Sequence, residues 1–301
     1  IGGGVIAAEF SHVFSAFGTE VTQLNRSSRL LRGVDEEVVA RFEEAASKQW
    51  NIVKDASLSE IRENADGSVT VVAKHTTENG EELLEIPADA VLVATGRRPN
   101  TDTLNAKNYF DVQDGGQLSV DKYQRVLYNG APVPGVYALG DVSSRYQLKH
   151  VANHEARVVQ HNLSHPEDLR ASDHRYVPAA VFSNPQIAVV GMTEEQARQA
   201  AEREGFEITV KAQNFGDTAY GWAMEDKIGL CKLIARKDNG ELLGAHLVGE
   251  ESSVLIQPLL QAMSFGMDAR TLARGQYWIH PALTEIVENA LLGLEFNEPA
   301  N

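Results

Sequence analysis

Gly2-Gly3-Gly4-Val5-Ile6-Ala7-Ala8-Glu9-Phe10 is the stretch whose reading decides the fold. Its pattern is Gly2-x-Gly4-x-x-Ala7, followed by an apolar face through Val13, Phe14 and Phe17 that stops at Gly18. Glu20–Asn25 then reads as a short strand. A glycine turn that opens a helix and leads to a strand is the dinucleotide-binding arrangement: two glycines let backbone approach a pyrophosphate, and a small third residue lets helix and sheet pack closely. The glycines alone are a weak signal, and the helix and strand at the right spacing strengthen it. The chain opens at Ile1, not at methionine, and directly on the turn. It therefore reads as truncated, with the first strand of this unit missing.

The end of the second strand discriminates between nucleotides, because an acid there bonds a ribose hydroxyl and repels a 2′-phosphate. Here Asn25 is followed by Arg26, Arg29 and Arg32. Guanidinium groups suit a phosphate, so NADPH is expected. A merely solvated basic loop is the alternative.

The rest of the composition narrows the class. A chain of 301 residues holds two or three domains with ample core. Lys+Arg 27 against Asp+Glu 42 gives a net charge of −15, which argues against a nucleic-acid or anionic-membrane surface and favours small-molecule chemistry. No apolar run approaches the roughly 18 residues of a bilayer span, and no signal-peptide pattern opens the chain, so a cytoplasmic protein is expected. The one cysteine, Cys231, excludes an intrachain disulfide; within Ile228–Leu233 it reads as a buried structural thiol on a strand. No metal site is expected.

Further along, acids at Asp35-Glu36-Glu37 start a helix to about Lys48. Short strands are expected at Asn51–Lys54 and Leu58–Arg62, then a hairpin of Gly67–Lys74 and Glu82–Ile86 around Asn79-Gly80. Ala90–Ala94 suits a buried parallel strand that empties into Thr95-Gly96-Arg97-Arg98-Pro99-Asn100. Gly135–Asp141 reads as a strand ending in Gly-Asp, with a helix from Leu148-Lys149 to about Leu163 whose first amides could face a partly negative ligand atom. Beyond a polar boundary at Arg170–Tyr176, strands are expected at Ala179–Phe182, Ile187–Val190, Glu207–Asn214, Ile228–Ala235 and Leu242–Val248. Helices are expected at Thr193–Arg203, with a capping box, and at Ser252–Phe265, giving an α+β unit. Near the end, His280 precedes a helix read as Pro281–Leu292 with proline in its first turn, and Glu285 stands within reach of the imidazole. Either the pair is an acid–base couple or it is a structural turn beside a surface acid.

In order and approximate spacing, Gly2-x-Gly4-x-x-Ala7-x-Glu9, Ala94-Thr95-Gly96-Arg97-x-Pro99-Asn100, Ala138-x-Gly140-Asp141 and His280-Pro281-x-x-Thr284-Glu285 resemble the FAD-dependent pyridine nucleotide–disulfide oxidoreductases, the group of glutathione reductase and dihydrolipoamide dehydrogenase. The stretches Tyr146–Arg157 and Gly275–Leu283 are similar to the branch that reduces mycothione. The resemblance implies an α/β, Rossmann-like, three-layer NADP-binding domain with a β-hairpin insert at 1–93, the returning part of an FAD domain at 94–172, and an α+β dimerisation domain at 173–301.

It also implies roles. Gly2, Gly4, Ala7, Glu9 and Gly96 would serve NADPH, with Arg26 and Arg32 at its 2′-phosphate. Gly140, Asp141, Leu148 and Lys149 would serve FAD, and His280 oriented by Glu285 would be the acid–base catalyst of thiol–disulfide exchange in a homodimer. Two departures stand out. Val5 occupies a position where several relatives carry a tyrosine over the nicotinamide site, and the family's N-terminal FAD half with its Cys-x-x-x-x-Cys pair is absent. The 301 residues are thus expected to be the C-terminal two-thirds of an enzyme that reduces a low-molecular-weight disulfide, mycothione first among them, and to be inactive alone. A dihydrolipoamide dehydrogenase, favoured by Leu148-x-His150, and a non-catalytic nucleotide-binding remnant that dimerises are the alternatives.

Overall fold

The glycine turn leads into a helix at Val5–Ala16 in the computed structural model, which describes residues 1–297; the last four residues of the 173–301 span lie outside it. The face of this helix that packs is the small one, Ala7, Ala8 and Ser11. The aromatic face expected to carry it is turned outward, with Phe10, Val13 and Phe14 exposed and Phe17 85% exposed. Alanines win because they let helix and sheet backbones come close.

The strand Thr22–Leu24 pairs in parallel with Asn51–Val53. On its other side Gly2 N–H donates to the Leu24 carbonyl at 2.9 Å. Ile1 in turn meets the segment after the hairpin: its ammonium donates to the Leu92 carbonyl at 2.7 Å, and Ala94 N–H donates to the Ile1 carbonyl at 2.8 Å. The buried strand expected at Ala90–Ala94 does not form. A single residue pairs with it, and Leu92 and Val93 are 45% and 60% exposed. The antiparallel sheet of Ala56–Glu63, Val69–Thr77 and Gly80–Ala88 fulfils the hairpin reading around Asn79-Gly80, and Ala56, Val71 and Ala73 bury beside Leu24.

Two compact units divide the chain: Ile1–Thr95 together with the residues from Pro178 onward, and Gly96–Val177. In the first, a five-stranded antiparallel sheet runs in the spatial order Ile208–Asn214, Leu230–Arg236, Leu242–Gly249, Gln186–Gly191, Ala179–Val181. The helix Glu36–Ala46 lies against it: Val38, Val39, Phe42 and Ala46, with Leu30, Leu31 and Trp50, share one apolar cluster with Val181, Ile187, Leu230 and Val248. The capping box forms at Thr193 and Gln196 ahead of the helix Glu194–Glu204. The helix read at Ser252–Phe265 is two helices, Ser252–Leu255 and Gln257–Phe265, because Pro258 has no amide hydrogen to continue the ladder. Cys231 is fully buried on its strand, and burial pushes its thiol up.

In the second unit a hairpin of Arg125–Tyr128 and Ala131–Tyr137 and the helix Lys149–Ser164 flank the Gly-Asp turn. Ala106, Leu118, Val126 and Ala138 form its small core. Among the described residues no helix is long and apolar enough to cross a membrane, and no cluster of side chains is suited to a metal ion.

One buried cation ties the first unit together. Lys232 Nζ lies 2.9 Å from Asp35, 2.7 Å from Glu194 and 3.2 Å from Glu37, and its side chain is 6% exposed. Burial disfavours each charge, yet the carboxylates raise the ammonium's pKa, while Lys232 and the Glu194 backbone N–H lower that of Asp35. Glu194 is lowered likewise by Lys232 and Arg198, against its own burial. Beside them His246 is buried, held below its ordinary 6.5 by desolvation, with Nε2 on the Met192 carbonyl at 2.7 Å and Nδ1 unpartnered. The signs agree. The unfolded chain protonates its histidine and carboxylates before the folded one does, so stability falls as pH drops through about 6.5 and again below about 4. Thermal melts between pH 8 and 3.5 should show both steps. Lys232→Met strands the carboxylates and should destabilise by about 3 kcal/mol, read as a lower urea midpoint; an unchanged midpoint would show that the cluster contributes nothing.

Candidate active site

His280 Nδ1 and Glu285 Oε1 are 2.7 Å apart. The helix behind them begins at Thr284 and not at Pro281. Residues 281–283 instead form a turn in which Glu285 Oε2 accepts the Ala282 N–H at 3.3 Å and Glu285 N–H donates to the Ala282 carbonyl at 3.2 Å. Glu285 therefore ties down the turn ahead of its helix while holding the imidazole. The hydrogen bond from His280 holds its carboxyl below the usual glutamate value, against a small opposing desolvation. With Nδ1–H fixed on the carboxylate, Nε2 is the nitrogen free for proton exchange. The His280 side chain is 67% exposed, and Nε2 has no partner among the described residues. Trp278 anchors the approach through Nε1–H to the Ala273 carbonyl at 3.0 Å, while Tyr277 and Ile279 project outward.

The glycine turn is built for close backbone approach, although the burden falls differently from the motif. A Cβ on Gly2, whose φ is +136°, would stand 2.3 Å from the Ala94 carbonyl oxygen, and one on Gly3 would stand 2.3 Å from Asn25 Oδ1. Gly4 has open space around it and begins the helix without a side-chain cap, so the first amides are left to a ligand. Two buried side chains missed by sequence reasoning hold this turn: Gln23 donates to the Gly2 carbonyl at 3.0 Å and accepts from Trp50 Nε1–H at 2.9 Å. Asn25, read only as a missing acid, knits the arginine loop by donating to the Ser27 and Arg29 carbonyls. Arg26 and Arg32 are exposed and without ion-pair partners among the described residues, whereas Arg29 turns back onto the Arg32 carbonyl. Ala7 is buried in the helix face, and Glu9 accepts the Phe182 N–H at 2.9 Å. These features fit a phosphorylated dinucleotide.

In the second unit Gly140 adopts φ +71° and would press a Cβ to 3.2 Å from Ala152 of the following helix. Asp141 pairs with Arg97 at 3.1 Å. Gly96, φ +139°, has open space around it. The helix Lys149–Ser164 starts at Leu148 with no side-chain cap. Glycine, carboxylate and uncapped helix fit a nucleotide-bearing cofactor of the flavin kind. The Gly140 N–H is not available to it, because Glu155 accepts that donor at 2.6 Å. A signal for Glu155 was present: Val151, Glu155, Val158, Val159 and Asn162 recur at helical spacing, and all five are buried.

Family models match two stretches. Residues 1–156 match pyridine nucleotide-disulphide oxidoreductase, and residues 177–291 match the dimerisation domain of the same group. Mycothione reductase of Mycobacterium tuberculosis is 52% identical over 98% of this chain and 61% of its own length. Dihydrolipoyl dehydrogenase of Synechocystis is 33% identical over 96% of the chain and 60% of its own length. Among solved structures, the HOCl-induced flavoprotein disulfide reductase RclA of Escherichia coli superposes with a TM-score of 0.84 at 28% identity, covering 97% of this chain and 63% of that one. The chain thus spans about three-fifths of the length of these relatives.

The Glu285 bond can be read directly. His280→Ala removes the donor, so the Glu285 carboxyl should titrate higher, toward its ordinary 4.5, in a carbon-13 NMR titration. A titration unmoved by the substitution would mean that the two side chains do not pair.

Proposed function

The chain belongs to the pyridine nucleotide-disulphide oxidoreductase family, and on that premise we propose that it is the C-terminal part of an NADPH-dependent flavoprotein reductase of a low-molecular-weight disulfide, first of all mycothione. The observation that carries the reading is the His280–Glu285 pair, with Nδ1 held at 2.7 Å in an exposed side chain whose Nε2 has no partner among the described residues. NADPH and FAD would supply the reducing electrons. In this reading Gly2, Gly4, Ala7, Glu9, Arg26, Arg32 and Gly96 would serve NADPH, and Asp141, Leu148 and Lys149, with Gly140 shaping the turn, would serve FAD. The spans 1–93, 94–172 and 173–301 are kept as the NADP, flavin and dimerisation segments.

His280 moves the protons. When a thiolate attacks the substrate disulfide, one sulfur–sulfur bond forms and one breaks. The leaving thiolate takes the proton from Nε2, which later regains one from the incoming thiol. Glu285 orients the ring through its contact with Nδ1. The enzyme's sulfurs do not come from Cys231, which is fully buried with its thiol raised, so they lie outside these 301 residues. Beside His280 in the chain, Tyr277 and Ile279 are exposed, which supports a homodimer that brings the histidine to a partner subunit. Asn25 in place of an acid, with free Arg26 and Arg32, favours NADPH and argues against a dihydrolipoamide dehydrogenase despite relatives of that name.

Two experiments on the full-length protein test this. His280→Ala should lower mycothione reduction roughly 100-fold or more while leaving NADPH-driven dye reduction by the flavin intact; undiminished disulfide reduction would refute the role. Arg26→Ala with Arg32→Ala should raise the KM for NADPH about tenfold, the worth of one charge-assisted contact, and leave that for NADH nearly unchanged. Equal effects on both would overturn the choice of nucleotide.

A further inference from the structure

The helix Lys149–Ser164 buries a carboxylate that neither the proton-transfer pair nor the nucleotide turn uses. Glu155 is 1% exposed. Acids are almost never buried to this degree unless they are paired. One of its oxygens, Oε2, accepts the Gly140 N–H at 2.6 Å. The other, Oε1, lies 3.0 Å from His174 Nε2, with the ring's N–H out of line for a full hydrogen bond. His174 belongs to the segment that follows the helix. It is held by ring contacts to Tyr146 at 5.6 Å and to His154 at 6.2 Å, and His154 accepts the Asp173 N–H at 3.2 Å.

Gly140 is thereby bound at both backbone groups. Its N–H goes to Glu155, and its carbonyl accepts from Ser143 N–H at 3.0 Å and Ser144 N–H at 2.7 Å. Ala152, one helical turn before Glu155, faces the open side of the same glycine, which its φ of +71° and the absence of a side chain allow. The turn cannot shift along the helix without breaking a charge-assisted bond in a place that excludes water.

We propose that Glu155 is a positioning residue for the flavin: its carboxylate locks the Gly140–Asp141 turn onto the helix Lys149–Ser164, whose N-terminus carries no side-chain cap. This rests on the flavin assignment of the preceding section. The lock takes the Gly140 amide out of ligand binding and fixes where Asp141 stands. A buried negative charge beside the turn also opposes electron gain by the flavin.

The test uses the full-length flavoprotein and two variants. Glu155→Gln keeps an acceptor for Gly140 but removes the charge, whereas Glu155→Leu removes both. Glu155→Leu should release flavin on the order of tenfold faster and expose the Gly140 amide to hydrogen exchange by a similar factor, with an unchanged far-ultraviolet circular dichroism spectrum. Glu155→Gln should restore slow exchange and slow release while moving the flavin midpoint potential to a more positive value. Wild-type release and exchange in Glu155→Leu would overturn the proposal alone. If that variant fails to fold, Glu155→Gln decides, and an unmoved potential overturns it. Unmutated protein that purifies without flavin and does not take it up would overturn the cofactor assignment and this inference with it.

Discussion

The ammonium of Lys232, enclosed by Asp35, Glu37 and Glu194, is the contact on which the larger unit depends. The contact joins three places: the start of the helix after the arginine loop, the start of the helix Glu194–Glu204, and an inner strand of the five-stranded sheet, which carries Lys232 itself. Asp35 also caps its own helix through the Glu37 N–H and accepts the Glu194 N–H at 3.0 Å. Buried charge of this kind is weak evidence for high stability, but it is exacting about geometry. An apolar cluster such as Phe42 with Trp50, Ile187 and Leu230 tolerates small slips between helix and sheet. Three carboxylates around one nitrogen do not. The glycine turn and the helix that follows His280 lie in the same unit as this contact.

The second constraint is how near two backbones can come. Gly2 and Gly3 leave no room for a Cβ against Ala94 and Asn25, while Gly4 has room on every side. The turn's shape is therefore set from behind, by packing, and its ligand-facing side is set by what is missing: no cap on the helix, no side chain at Gly4. Gln23 extends the same logic inward by joining the Gly2 carbonyl to Trp50, so a site at the surface is held by a hydrogen-bonded indole in the core.

Local signals in the sequence made much of this legible. The capping box at Thr193, the Asn79-Gly80 hairpin and the acids that start the helix at Asp35 all rest on contacts within a few residues, which pattern captures. What failed depended on partners far along the chain. Leu92 and Val93 have the composition of a buried strand, but burial needs a neighbour, and Ile1 provides one residue of it. Phe14 and Phe17 have the composition of a core face, but the alanines on the opposite side of the helix fit the sheet more closely. At the candidate site, His280 and Glu285 were legible because five positions separate them and proline interrupts the backbone. Glu155 was not, since its partners Gly140 and His174 meet only in the folded unit, even though helical periodicity placed it on the buried face.

The miss at Glu155 has a wider physical cause. With 42 acids against 27 bases, the composition suggests a surface of solvated carboxylates. Yet the carboxylates nearest the functional elements bind backbone amides: Glu9 takes the Phe182 N–H, Glu43 the Leu30 N–H beside the arginine loop, Glu155 that of Gly140, and Glu285 that of Ala282. An ionised carboxylate accepting a backbone N–H makes one of the stronger hydrogen bonds available to a protein. It fixes main chain where loops would otherwise shift. A nucleotide site needs its own amides and arginines unengaged, so negative charge held on neighbouring backbone steadies the loop without competing for the ligand. Glu43, for example, is held by the Leu30 N–H and by Lys54, while Arg26 and Arg32 have no ion-pair partner among the described residues. The excess of acid is thus partly structural, and the cations left unpaired at the arginine loop stand out against it.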